Sequence, residues 1–151
     1  MLEKLRWTTA DYESLGWHDN RVHGLRILSG GDSGGELVLD LDHIVEWLPQ
    51  SGDEPFRWRV APATLTFHSV FNLRVEIDYA AIGAGTTPFS IDRIEREVVQ
   101  PGDPAWFRWR IKVNWPDGAI IFESSGFTQV LRAAPTTLDR QTLEVIERGE
   151  Q

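Results

Sequence analysis

The chain contains no cysteine, and that absence removes disulfides, thiolate metal sites and cysteine nucleophiles in one step. Lysine is nearly missing too, with 2 residues against 13 arginines. Arginine is the better cation for fixed, bidentate or stacked contacts, so the positive charge suits built ion pairs more than a diffuse cationic surface. The formal charge is −8, which argues against nucleic acid as a partner, because phosphate neutralisation supplies most of that affinity. Long apolar runs are absent as well. The N-terminal MLEKLRWTTADYESLGW has the pattern of neither a signal peptide nor a membrane span, so the expectation is a cytoplasmic protein without a membrane partner.

What is present points to strands. Seven Trp, seven Phe, 11 Val, ten Ile and ten Thr in 151 residues are side chains that fit a pleated, half-buried surface. This length matches one domain with one core, and no linker or composition shift divides it. The expected fold is mainly β, a single antiparallel barrel or two-layer sandwich of about eight to ten strands with short helical pieces at the termini.

The clearest strand is Glu36 to Leu48, ELVLDLDHIVEWL. Its two-residue period places Leu37, Leu39, Leu41, His43, Val45 and Trp47 on one face, and Glu36, Val38, Asp40, Asp42, Ile44, Glu46 and Leu48 on the other. One face is a core face interrupted by an imidazole; the other carries four acids. Val22 to Leu28 pairs with it as a hairpin across the Gly-rich segment 29–35. Two registers satisfy the apolar faces: Ile27 opposite Leu39, which sets His23 against His43 and Arg26 against Asp40, or Ile27 opposite Leu37, which sets His23 against Leu41. Both put His23 on the apolar face.

Further strands are expected at Phe56 to Val60, with Glu46 near Arg57, and at Thr64 to Val70, Leu73 to Tyr79, Ser90 to Val99, Trp106 to Trp115, Ala119 to Ser124 and Phe127 to Arg132. Pro116-Asp117-Gly118 between two apolar alternations is the strongest hairpin signal. Tyr12 to Leu15, behind Thr8, Thr9 or Asp11 as cap, reads as a brief helix, and Asp139 to Arg148, closed by Gly149, as a short C-terminal one. Residues 41–60 and 91–111 echo each other through Asp42/Asp92, Ile44/Ile94, Gly52/Gly102, Asp53/Asp103 and a shared FRWR block. Two hairpins of one design are implied, with architectural roles for the shared residues.

Gly31-Asp32-Ser33-Gly34-Gly35 copies the nucleophile string of trypsin-like proteases. A Ser-His-Asp site is defined by geometry rather than by a string, and a Gly-rich hairpin loop explains these residues. His18 and Asp19, with His23 and then Asp40, Asp42 or His43, are candidates for a Zn or Mn site, because imidazole and carboxylate together suit those ions. Without metal, His23, His43 and Asp40 are the candidates for acid–base chemistry. Binding candidates are Arg26, Trp17 and His68. Trp47, Trp58, Trp109 and Trp115 fall on alternating apolar faces and read as core, which leaves Trp7, Trp17 and Trp106 for ring stacking.

At WHDNRVHG (17–24), LVLDLDHIVEW (37–47), VAPATLTFHSVFNLRVEID (60–78) and SGFTQVLR (125–132) the chain resembles a family of small bacterial proteins. The resemblance covers most of the chain. It implies a bacterial, single-domain protein and brings no activity, ligand or catalytic residue with it. The function expected from the residues is a non-enzymatic binding or protein-interaction module with an acidic surface and no cofactor. Its partner is another protein, a small molecule or a second copy of the chain. The alternative is a metal-assisted or His/Asp acid–base enzyme built on His23, His43 and Asp40.

Overall fold

In the computed structural model, which describes residues 3–30, 34–83 and 85–149, the strands belong to one antiparallel sheet. They are β1 (Arg6–Thr8), β2 (Arg21–Leu28), β3 (Gly35–Leu48), β4 (Arg57–Ile77), β5 (Phe89–Gln100), β6 (Trp106–Asn114), β7 (Gly118–Ser124), β8 (Gly126–Leu131) and β9 (Thr136–Leu138). The sheet order is β1-β8-β4-β3-β2-β5-β6-β7, and β7 returns to pair with β4. The pairings therefore close into a ring, which removes most exposed strand edges. Gly31, Asp32 and Ser33 of the protease-like string lie outside the described residues.

β4 makes the closure possible. It runs unbroken where three separate strands are expected from sequence: β3 pairs along residues 57–70, while the other partners change from β9 (58–60) to β8 (63–68) and then to β7 (71–77), beyond the end of the β3 ladder. Pro62, which cannot donate to a ladder, falls in the interval between β9 and β8. Ser69 and Asn72 take left-handed backbone angles, φ 55° and 54°, at the handover from β8 to β7. That local irregularity re-aims the strand.

The interior core is built from alternate residues: Leu37, Leu39 and Leu41 of β3, Ala61, Ala63, Leu65 and Phe67 of β4, and Trp109, Ile111 and Val113 of β6. Opposite-parity residues point outward. On that outer side Ile44 and Val60 form a second small core with Leu143, packed by Trp58 and Leu138. The C-terminal segment is thus a strap laid across the outside of β3 and β4. It is helical only over Ile146–Arg148, as one 3-10 turn ended by left-handed Gly149, and not over the whole of Asp139 to Arg148. The N-terminal helix is likewise a 3-10 piece, Thr9–Ser14, with the Asp11 carboxylate accepting the Thr8 N–H at 2.8 Å.

Bulges correct two of the expected registers. In the β2–β3 hairpin Ile27 faces Leu37 and Leu25 faces Leu39, but a bulge between Val22 and Gly24 brings Val22 opposite Leu41. Val22 then enters the core and His23 turns outward, away from the apolar face. A bulge between Ile44 and Glu46 pairs Glu46 with Arg59 instead of Arg57, and Arg59 reaches Glu46 at 3.3 Å. In the second echo hairpin a bulge between Ile91 and Arg93 shifts the phase. Ile44–Val60 and Ile94–Ile111 are matched pairs in the same hairpin position, yet the first pair lies under the strap and the second in the interior.

Four tryptophans lie contrary to expectation: two left for ring stacking are core, and two assigned to the core by alternation are exposed. Trp7 and Trp17 are buried, whereas Trp47 is 50% and Trp115 82% exposed. Trp47 lies on the tip of the β3–β4 hairpin, which projects past the core, and Trp115 lies in the β6–β7 turn. Alternation continues along a strand after the core behind it has ended.

Candidate functional site

The acids of β3 do not form a solvated row. Asp42 is fully buried and is the hub of an outer-face network. The His23 Nε2 lies 2.8 Å from its Oδ2, the Leu143 N–H donates to the same oxygen at 3.1 Å, and Arg148 Nη1 donates to Oδ1. The Arg148 side chain is 1% exposed. A buried carboxylate is tolerated only when paired and hydrogen-bonded, and here the strap supplies both the backbone donor and the guanidinium. Arg148 Nη2 also donates to Asp40. The same Asp40 oxygen pairs with Arg132 Nη2 at 2.7 Å, while Arg132 Nη1 donates to the Ala63 carbonyl and the Thr64 hydroxyl, each at 3.0 Å.

Beside this network the outer face dips into a pocket of about 480 Å³. Arg26, Asp40, Thr64, Arg132 and Arg148 ring it, and Gly24 and Val38 lie beneath. Three guanidiniums stand against the two carboxylates Asp40 and Asp42. Both carboxylates are already engaged by Arg132 and Arg148, and Arg26 forms no ion pair among the described residues. Among the described residues Arg26 is thus the guanidinium of the pocket without a carboxylate partner, in a strongly acidic protein. Its position follows from β2, where Arg26 faces Val38 across the ladder.

His43 is elsewhere. It lies on the interior face of β3, 2% exposed, edge-on to Trp7 at 5.4 Å. The Ile44 N–H donates to Asn20 Oδ1 at 3.1 Å, which turns the Asn20 amide NH₂ toward His43 Nδ1 at 2.7 Å. Nδ1 therefore accepts, and the ring proton sits on Nε2. Burial pushes the His43 pKa down to about 4, so the ring is neutral at pH 7. The sheet separates His43 from Asp40 and His23, and the three acid–base candidates do not converge.

The metal candidates also divide. His18 is an exposed side chain whose Nδ1 is 3.0 Å from the Asp92 carbonyl and whose ring stacks on Trp47 at 6.2 Å. Asp19, at φ 64°, accepts from Gln141 Nε2 at 3.0 Å. His23 and Asp42 pair with each other. Among the described residues no three His, Asp or Glu side chains are grouped to hold a metal ion, and no helix is long and apolar enough to cross a membrane.

Of the binding candidates, Trp17 is 3% exposed and donates from Nε1 to Gln129 Oε1 at 2.8 Å, so its indole is part of the core. Arg26 lines the pocket. His68 lies on the same outer face between Glu36 and Thr128. Sequence reasoning missed Arg132, Arg148 and Thr64. The one signal that pointed to them was the dominance of Arg over Lys, which marks fixed carboxylate contacts without saying where they are. No protein family, curated protein or solved structure matches the chain.

Proposed function

We propose that the protein is a small-ligand binding module whose ligand is an organic acid, held by its carboxylate in the outer-face pocket. The observation that carries this reading is Arg26: a guanidinium with no ion pair among the described residues, lining a pocket whose one carboxylate, Asp40, is already paired with Arg132 and Arg148. A guanidinium fork matches a carboxylate bidentately, and among the described residues no carboxylate takes the fork of Arg26. The Thr64 hydroxyl offers a neutral hydrogen bond, and Gly24 and Val38 provide a surface for a short apolar body. The volume falls within the ~300–1,000 Å³ usual for small-molecule sites. Charge thus enters the binding reading locally and with positive sign, although the molecule as a whole is acidic.

Calorimetric titration with acetate, butyrate, benzoate and inorganic phosphate tests this. Saturable binding of at least one carboxylate is expected, weakened about tenfold or more by Arg26→Ala, since a charge-assisted hydrogen bond contributes about 1.5–3 kcal/mol. Equal affinity of the wild type and Arg26→Ala for every probe would refute the pocket as the site.

A further inference from the structure

A second constellation on the outer face is independent of the arginine pocket. Glu36 of β3, His68 of β4 and Thr128 of β8 stand in line across three neighbouring strands. His68 Nδ1 is 2.7 Å from Glu36 Oε2, and His68 Nε2 is 2.8 Å from Thr128 Oγ1. A carboxylate only accepts, so Nδ1 carries the ring proton and Nε2 is left to accept from the threonine hydroxyl. That is the proton arrangement a hydroxyl nucleophile needs: a base on the hydroxyl, and a carboxylate that fixes the base's tautomer and steadies the imidazolium. The backbone at His68 is held too, its carbonyl accepting from the Ser125 N–H and the Ser125 hydroxyl, both at 3.2 Å. The His68 and Glu36 side chains are 40% and 39% exposed, so a substrate can reach them from solvent.

The geometry points to Thr128 as a nucleophile that accepts an acyl group from activated carboxylic esters. Thr128 Oγ1 attacks the ester carbonyl carbon and its proton passes to His68 Nε2. The tetrahedral adduct then collapses, the bond to the leaving oxygen breaks, and the alcohol departs as its anion. His68 releases the proton to water, leaving an O-acyl threonine. The relay supplies general-base help and no more, so the substrate class is an ester with a good leaving group, such as an aryl ester, rather than an amide.

The test is incubation of the full chain with p-nitrophenyl acetate, followed by intact-mass measurement and peptide mapping. One acetyl group on the peptide containing Thr128 is expected. Thr128→Ser retains the label, Thr128→Val abolishes it, and His68→Phe slows it at least ~100-fold, the low end of general-base assistance. Glu36→Gln, an exposed conservative change, slows it several-fold and serves where either of the other variants fails to fold by circular dichroism. Acetylation confined to Lys4, Lys112 or the N-terminus, or a Thr128 label unchanged by both His68→Phe and Glu36→Gln, would overturn the assignment.

Discussion

Asp42 shows how a single carboxylate can join the two ends of the fold. It accepts from His23 on β2 and from Leu143 and Arg148 on the strap, and none of its surface reaches water. Removing one member of such a buried pair strands the other, at a cost of about 3–5 kcal/mol. Asp42→Asn is therefore expected to lower the urea midpoint by that amount of stability with the denaturant slope unchanged. Adding Arg148→Met to Asp42→Asn recovers part of the loss, because the second change removes a buried guanidinium that has lost one of its carboxylates and keeps Asp40. A single Asp42→Asn within about 0.5 kcal/mol of wild type would remove the hub from this account.

His43 makes a separate prediction from its buried ring. In the unfolded chain it titrates near the ordinary imidazole value of 6.5, and in the folded protein burial lowers it to about 4. Between those values the unfolded state binds a proton that the folded state does not. Stability is consequently full above pH 6.5 and declines as the pH falls toward 4, by up to about 3 kcal/mol from this group. Denaturant midpoints measured from pH 7 to pH 4 are expected to show this decline, and His43→Gln should flatten it even though its midpoint at pH 7 is lower.

At the scale of elements, the alternation of β3 was legible and its surroundings were not. The period correctly sent Leu37, Leu39 and Leu41 inward and Asp40 and Asp42 outward, because a strand's two faces are a local property. What covers the outward face depends on contacts across more than 100 positions, such as Arg148 to Asp42, and no local pattern carries those. Bulges were equally hidden: one extra residue at Val22/Gly24 reverses the face of His23, and one at Ile91/Arg93 sends the two echo hairpins' isoleucines to opposite sides. Only the register near the β2–β3 turn, Ile27 to Leu37, was among those derivable from apolar matching.

Gly118 has a second role beyond the β6–β7 turn. The Pro-Asp-Gly string identifies the turn, but β7's first residue also meets β4 closely: a Cβ there would lie 2.2 Å from the Glu76 carbonyl oxygen and 2.8 Å from the Ile77 Cα. The ring closes at this contact, where Gly118 pairs with Ile77. Gly118→Ala must push two backbones apart, so a loss of at least ~2 kcal/mol is expected, in the range of strained or overpacked substitutions. Thermal melts of Gly118→Ala beside Gly16→Ala provide the comparison, since Gly16 has no positive φ and a Cβ on it would touch nothing within 4 Å. Equal shifts in the two would show that close approach does not control Gly118.

For the molecule as a whole, the ring of strands encloses an interior filled with Leu, Phe and Trp and leaves its chemistry on the outside. The outer faces of β2, β3, β4 and β8 carry the Arg26 pocket toward the strap and the Glu36–His68–Thr128 line further along. Their positions follow from ladder register: Arg26, Val38, Thr66 and Thr128 are successive partners across the sheet. The expectation of a single antiparallel β domain was readable from composition and period, because both report local fit to a pleated surface. A cationic pocket on an acidic chain was not readable, because charge counted over the sequence ignores which carboxylates are already paired.

A titration of the ¹⁵N-labelled protein with butyrate or benzoate, followed through its backbone amide resonances, tests whether the Arg26 pocket binds carboxylates. Saturable shifts confined to Gly24, Arg26, Val38, Thr64 and Gly149, and lost in Arg26→Ala, are the predicted result. Shifts that map to another part of the ring, or the same shifts in Arg26→Ala, would contradict it.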